Sequence, residues 1–224
     1  MARTRPTVGG TQCRFRLLDT DPVKHTPEYR ASNDEVIQLL ADQPMVRLIT
    51  IDADGWPRVG LHVHVTHGLH VELHLANDDP QLADLRRTGR VVIEVDEVLS
   101  FSPSHWVDDE NASHADQYFR CATLRGEPEL VSDRSAIVEH LRALLMCRQP
   151  EGMYVRVDEG HPLYAGYLDR LTLVRLAPAD VVSKFKVAQQ VSADTRARIV
   201  QRLGEHESAV NRATRRVIEQ SNER

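Results

Sequence analysis

Residues 60–66 read Gly-Leu-His-Val-His-Val-Thr and residues 69–75 read Leu-His-Val-Glu-Leu-His-Leu, joined across His67-Gly68. Alternation of apolar and polar residues marks extended strands with one buried face, because successive side chains point to opposite sides of the pleat. The link is far too short for a crossover helix, so the two strands are antiparallel and a parallel βαβ start is excluded. Burying Leu61, Val63 and Val65 on one side with Val71, Leu73 and Leu75 predicts a register in which His62 faces His74 and His64 faces Glu72. A three-residue turn at His67-Gly68-Leu69, with Gly68 free to take positive φ, satisfies that register. Two opposed imidazoles on one face suit metal ligation or acid–base work, or stand as hydrogen-bonded structural histidines.

Cap and turn signals extend the pattern. Ser32-Asn-Asp-Glu35 is a capping box, and Val36, Leu39 and Leu40 form the buried stripe of a helix that Pro44 ends. Strands are predicted at about 45–52, 57–66 and 70–76, the first turn being Asp52-Ala-Asp-Gly55. Asp78-Asp79-Pro80 starts a short helix to Arg87, with acidic residues at its positive end and basic ones at its negative end. Strands at 90–97 and 117–130, the second interrupted at Gly126, precede an amphipathic helix over 132–146. Further strands at 169–177 and 181–188 lead to a helix from about Ser192 to Leu203, which runs into a polar tail. Many short strands in hairpins, with helices covering the ends, predict an α+β chain built on a small closed or half-closed barrel.

At 224 residues the chain is long enough for one sizeable core. The net charge is −5, and the basic residues of 196–216 are interleaved with Glu205 and Glu207. That pattern reads as a solvated helix face and argues against nucleic acid as a partner. No apolar run approaches the ~18 residues of a spanning helix, so no membrane partner is expected. The basic N-terminus lacks the apolar stretch of a signal peptide. Cys13, Cys121 and Cys147 lie far apart with no CxxC pair, which indicates neither a zinc site nor a disulfide framework and makes a reducing cytoplasm the expected compartment.

Four stretches carry a family resemblance. They are Asp52-Ala-Asp-Gly-Trp-Pro57 with the strand holding His62, His74-Leu-Ala-Asn-Asp-Asp-Pro80, Ser102-Pro-Ser-His-Trp106, and Ser183-Lys-Phe-Lys-Val-Ala-Gln189. In that order they resemble the first hairpin, HLAxxxP stretch, SPSxW segment and GKWKLSQ signature of PaiB-like proteins. These belong to the flavin-binding split-barrel superfamily, whose fold is that of pyridoxamine 5'-phosphate oxidase. The resemblance spans roughly residues 33–203. It implies a split β-barrel with peripheral helices, a homodimer, and cofactor sites at the dimer interface. The chain then divides into an N-terminal arm (1–31), a split-barrel domain (32–204) and a polar C-terminal helix or tail (205–224).

Where PaiB-like proteins tend to read SHLP, this chain has Leu61-His-Val-His64. Related flavoproteins often place an arginine on this strand for the flavin phosphate, which Leu61 and Val63 cannot replace, although Arg58, Ser102 and Ser104 are able to compensate. Imidazole enrichment suits iron instead, since neutral histidine is the usual proximal ligand of haem. A branch that resembles PaiB-like proteins and uses haem is the piperazate synthases, which cyclise N5-hydroxy-L-ornithine to L-piperazate with loss of water. The resemblance thus implies haem b, with FMN as the alternative cofactor, and an N-hydroxylated amino acid as substrate.

His62 occupies the family's strand-histidine position and is the expected axial ligand; His74 is the second candidate ligand or a distal acid–base, and His64 faces either cofactor or solvent. Lys184 and Lys186 share one strand face and are candidates for a propionate, phosphate or substrate carboxylate. Trp106 is placed to stack on a planar cofactor or to fill the core. Tyr118 and Arg120, on one face of their strand, are candidates for propionate or substrate contact. His74, Tyr118 and Lys184 are thus the expected catalytic residues, and His62, His64, Arg58, Ser104, Trp106, Arg120 and Lys186 the expected cofactor contacts. Three functions compete: the haem-dependent cyclase, an FMN-binding oxidoreductase, and a PaiB-like transcriptional regulator, against which the acidic charge and the lack of a recognition helix argue.

Overall fold

Helix α1 (Asn33–Asp42) opens on the expected capping box: the Ser32 hydroxyl accepts from the Glu35 amide, and the Glu35 carboxylate accepts from the Ser32 amide at 2.8 Å. The computed structural model describes residues 27–221, so most of the expected N-terminal arm lies outside the described residues. Strand β1 (Met45–Ile51) and β2 (Pro57–Val63) form the first hairpin, closed by Asp52, whose carboxylate accepts from the amides of Asp54 and Trp56. Strands β3 (Val65–His67) and β4 (His70–Ala76) make the second, and helix α2 (Pro80–Thr88) follows with Asp79 as N-cap and Gly89 as left-handed C-cap.

Strand β5 (Val91–Ser102) is longer than expected and bulges between Val98 and Phe101; β6 (Asp116–Gly126), β7 (Glu129–Val131) and helix α3 (Arg134–Arg148) come next. A short helix α4 (Pro162–Leu168) precedes β8 (Leu171–Leu176) and β9 (Asp180–Lys186). The expected C-terminal helix is α5 (Ala193–Glu205). The polar C-terminal segment, expected as a helix or tail, forms helix α6 (Ala209–Ser221), which buries Thr214, Val217 and Ile218. These positions recur at helical spacing, and the Thr214 hydroxyl accepts from the Ser100 amide at 2.9 Å, so the helix is fastened to β5.

Two antiparallel sheets result, in the orders β2-β1-β5-β6-β9 and β3-β4-β8-β7. Their inner faces enclose one core that includes Val46, Leu48, Leu73, Leu75, Ile93 and Leu124, plugged at its ends by Leu39 of α1 and Leu82 of α2. This is an α+β split barrel, as the hairpin pattern and the resemblance led one to expect.

The first expected register is not the observed one. β2 pairs with β1, not β4, placing Val46 beside His62, and β3 pairs with β4 so that Val65, not His64, sits opposite Glu72. The turn is two residues long, Gly68-Leu69, with Gly68 at φ 64° and His67 paired to His70. The physical reason is a change of sheet at His64: the run expected as one strand leaves the five-stranded sheet at Val63 and enters the four-stranded sheet at Val65. Alternation holds on each side of that corner, but the inward set of β2 is Arg58, Gly60 and His62, while Val59 and Leu61 face out at 58% and 55% exposure.

Candidate functional site

The polar inward face of β2 is accommodated because α2 lays polar partners under it. Gln81, buried on α2, donates through Nε2 to the Leu48 carbonyl at 2.8 Å and accepts from His62 Nε2 at 2.9 Å. Asp84, also buried, accepts from Thr50 Oγ1 and Arg58 Nε, each at 2.9 Å. Burial pushes the Asp84 carboxyl upward, but its hydrogen bonds from Arg58 and Thr50 outweigh that and hold it below the usual carboxylate range. Gly60 leaves room for this cluster. A Cβ there would collide with Gln81 Oε1 and lie 2.5 Å from His62 Nε2. Gly60→Ala is therefore expected to lower stability by about 1–3 kcal/mol, the usual penalty of overpacking; a urea midpoint equal to that of the natural protein would refute the close fit.

On the outer face of the four-stranded sheet, β4 and β8 pair Glu72 with Arg175 and His74 with Leu173. Arg175 Nε donates to Glu72 Oε1 at 2.7 Å, and the other carboxylate oxygen lies 3.6 Å from His140 Nδ1. His140, on α3 and almost fully buried, meets His74 Nδ1 through its own Nε2 at 3.0 Å, the rings being edge-on. Burial, followed by the neighbouring His74, pulls His140 down to about 4; burial and the nearby His62 also lower His74. Both rings are neutral at pH 7. His74 borders a cavity of about 440 Å³ between this sheet and α3 and α4, walled by Leu141, Leu144, Val157 and Tyr164.

The other expected residues lie elsewhere. His64 is buried at the corner between sheets, its Nε2 3.0 Å from the Leu40 carbonyl, and burial lowers its pKa; it does not face solvent. Arg120 is buried inside the barrel between Glu97 and Asp42, with Nε 2.7 Å from Glu97 Oε2 and Nη2 3.1 Å from Asp42 Oδ2. Trp106 ends the 3-10 turn Ser104–Trp106 and packs in a second core cluster with Leu99, Tyr118, Ile199 and Leu203. Tyr118 is buried there, its hydroxyl pKa raised by burial, and it also borders a second cavity of about 370 Å³ with Asp116, Lys186 and Gln190. Lys186 pairs with Asp116. Lys184 Nζ stands 5.8 Å from the ring centroids of Tyr29 and Phe119, on the outward face of the five-stranded sheet.

The expected residues therefore divide among three places. His74 lies close enough to His62 for that neighbour to help lower its pKa, whereas Tyr118 and Lys186 share the second cavity, and Arg120 is enclosed in the core. His140, Gln81 and Asp84 were not foreseen. For His140 a signal existed: it sits three residues after Ile137 and four before Leu144, on the apolar stripe of α3, where a histidine requires a buried partner.

Residues 25–176 match the family described as "Putative FMN-binding domain", and the chain belongs to that family. Among solved structures it is similar to the flavocytochrome Anf3 from Azotobacter vinelandii, at 20% identity and TM-score 0.60, covering 75% of this chain and 74% of that one. It is also similar to the FAD and haem binding protein from Mycobacterium smegmatis, at 17% identity and TM-score 0.60, covering 75% and 77%. A third is the conserved hypothetical protein Rv2991 from Mycobacterium tuberculosis, at 18% identity and TM-score 0.53, covering 73% and 90%. These likenesses show the fold. No curated protein matches. Among the described residues no helix is long and apolar enough to cross a membrane.

Proposed function

We propose that the protein is a haem-dependent enzyme acting on a small molecule, and more finely a cyclase that closes N5-hydroxy-L-ornithine to L-piperazate. One contrast carries the haem reading. Arg58 and Lys186, two of the cations expected as candidates for a flavin phosphate, already bind carboxylates, as does Arg120, which was expected at a propionate or substrate. His74 instead presents a neutral ring to an apolar cavity, and its Nε2 makes no hydrogen bond among the described residues. Among those residues no group of three or more His, Cys, Asp or Glu is placed to hold a bare metal ion, so a lone imidazole suits an iron whose other ligands come from a porphyrin. The names of the flavocytochrome and of the FAD and haem binding protein agree with such a cofactor on this fold.

The cofactor's imidazole would come from His62 or His74. Haem would supply a Lewis-acidic, electron-donating iron that loosens an N–O bond. In the cyclisation the N5–O bond breaks, an N–N bond forms, and the proton lost by the α-amine leaves with hydroxide as water, with no external oxidant or reductant. Leu141, Leu144 and Val157 keep the cavity apolar, and the Tyr154 and Tyr167 hydroxyls at its border, unbonded among the described residues, would donate to the substrate carboxylate. A homodimer accompanies this reading. The outward stripe of Val59, Leu61, Trp56, Val98 and Phe101, all more than half exposed in the single chain, supports a second copy covering that face.

FMN remains the second reading, favoured by the family match and by Lys184, which has no carboxylate partner among the described residues. Adding hemin to the purified protein is expected to give a sharp Soret band that moves on reduction with dithionite, followed by turnover of N5-hydroxy-L-ornithine. A flavin spectrum after adding FMN, with no Soret response to hemin, would replace the haem reading with the flavin one.

A further inference from the structure

We infer that the cavity of about 370 Å³ beside Asp116 and Lys186 binds a free α-amino acid with an apolar side chain, held as its zwitterion. This goes beyond the haem reading and does not depend on it, since that cavity shares no lining residue with the one beside His74. The Lys186 ammonium pairs with Asp116 Oδ1, and Gln190 Nε2 donates to Asp116 Oδ2 at 2.8 Å. Both carboxylate oxygens are thereby committed, on a side chain that is 15% exposed. A lone anion taking Lys186 would strand this mostly buried carboxylate, and a lone cation taking Asp116 would strand the ammonium. An enclosed charge left without its partner costs more than one new contact returns. A zwitterion escapes both penalties. Its carboxylate takes Lys186 while its ammonium takes Asp116, so one ion pair opens into two and no charge is left over. The two charges of an α-amino acid lie on neighbouring carbons, which suits a lysine and an aspartate that are themselves in contact. The site thus selects by what it costs the wrong ligands.

The backbone beside the cavity is held in a conformation that serves this arrangement. Ala188, fully buried between Lys186 and Gln190, has φ 65°, a left-handed conformation that residues with a Cβ seldom take. Its neighbours pin it there. Arg196 donates to the Ala188 carbonyl at 3.1 Å and to the Gln189 carbonyl at 3.2 Å. The Gln189 side chain accepts from the Val187 amide at 2.7 Å. The reversal at Ala188 turns Gln190 back onto Asp116 and carries Val191 into the cavity wall. Strain of this kind persists only where surrounding structure enforces it, and it gathers at ligand clamps. Gln190 Oε1 makes no hydrogen bond among the described residues and is free to accept from the ligand's ammonium. The Tyr29 hydroxyl, likewise unbonded among them, borders the same cavity as a donor for the carboxylate. Val107 and Val191 supply the apolar wall for a side chain, and the volume lies in the range of small-molecule sites.

The test titrates three compounds with one shared side chain into the full-length protein at neutral pH, read by calorimetry. They are L-leucine, isocaproate, which keeps only the anion, and isoamylamine, which keeps only the cation. L-Leucine is expected to bind at least tenfold more tightly than either analogue. No binding of L-leucine, or equal binding of the three, would overturn the inference. Asp116→Asn, which releases Lys186, is expected to weaken L-leucine at least tenfold and to bind isocaproate more tightly than the natural protein does. Lys186→Met, which releases Asp116, is expected to shift the preference towards isoamylamine instead. A folded variant that binds L-leucine as the natural protein does would place the amino acid elsewhere and overturn the assignment. Should one variant fail to fold by circular dichroism, the other decides; should both fail, the ranking of the three compounds by the natural protein decides.

Discussion

Arg120→Ala is expected to destabilise the protein by about 3–5 kcal/mol, the cost of stripping one partner from a buried ion pair. Arg120 has 5% of its side chain exposed and bridges Glu97 on β5 to Asp42 at the end of α1, with the Phe185 ring centroid 5.7 Å from its guanidinium carbon. Removal leaves Glu97, itself mostly buried, with its charge uncompensated and opens a void beside Phe185. Arg120→Met should lose less than Arg120→Ala, since it fills the space and restores dispersion contacts, although it still strands the two carboxylates. The double replacement Arg120→Met with Glu97→Leu removes the burden of the stranded charge and should recover much of the loss. Urea unfolding of the three variants checks the order. Equal midpoints for Arg120→Ala and the natural protein, coupled with lost cofactor binding, would instead make Arg120 a cofactor contact, as its strand position alone had implied.

Which parts of this were readable in the chain depends on whether the responsible interactions are local. The capping box at Ser32 and Glu35, the Asp79-Pro80 start of α2 and the Asp52 turn are set by residues within five positions of one another, and all form as the sequence implies. The alternation that signals strands is equally local, so β4 exists where expected and the run expected as one strand over 57–66 is extended, although it splits into β2 and β3. Which way a strand faces is not local. The apolar side of β2 turns out and the polar side turns in because Gln81 and Asp84, some twenty residues on, supply hydrogen bonds that β2 by itself does not reveal. Likewise the sheet change at His64 depends on the Leu40 carbonyl of a separate helix.

The candidate site shows the same limit more sharply. His74 was legible as a residue on the polar side of a plain alternating strand. Its partner was not, because His140 lies 66 residues away and reaches it only when α3 crosses the outer face of β4. Arg58, Arg120 and Lys186 looked like a set of anion-binding cations as long as their carboxylates were unknown. Asp84, Glu97 and Asp116 occur at unremarkable positions and gain their meaning from pairing across elements. A positive residue in a sequence is a candidate for binding an anion; only the fold says whether an anion of the protein's own has already taken it.

The buried histidines make stability fall in mild acid, before carboxylates such as Asp84 titrate. Unfolded, an imidazole takes its proton near pH 6.5, whereas burial and the adjoining His74 keep folded His140 neutral down to about pH 4. Between those values the unfolded chain binds a proton that the native protein refuses, so unfolding gains about 1.4 kcal/mol per pH unit from this residue alone. Stability is complete above pH 6.5, declines as the pH drops through that value, and stops declining on His140's account near pH 4. From pH 7 to pH 5 the loss should be roughly 2 kcal/mol, with His64 and His74, both lowered by burial, adding in the same direction. The depressed Asp84 carboxyl stays ionised throughout this window and contributes no slope there. Urea midpoints of the protein, taken at half-unit steps, test this directly. His140→Leu, which replaces the buried ring with an apolar side chain, should flatten the decline even if its stability at pH 7 differs. A midpoint that stays constant from pH 7 to pH 5 in the natural protein would mean that these imidazoles open to water and accept protons without unfolding, and would refute the rigid, buried His140–His74 pair.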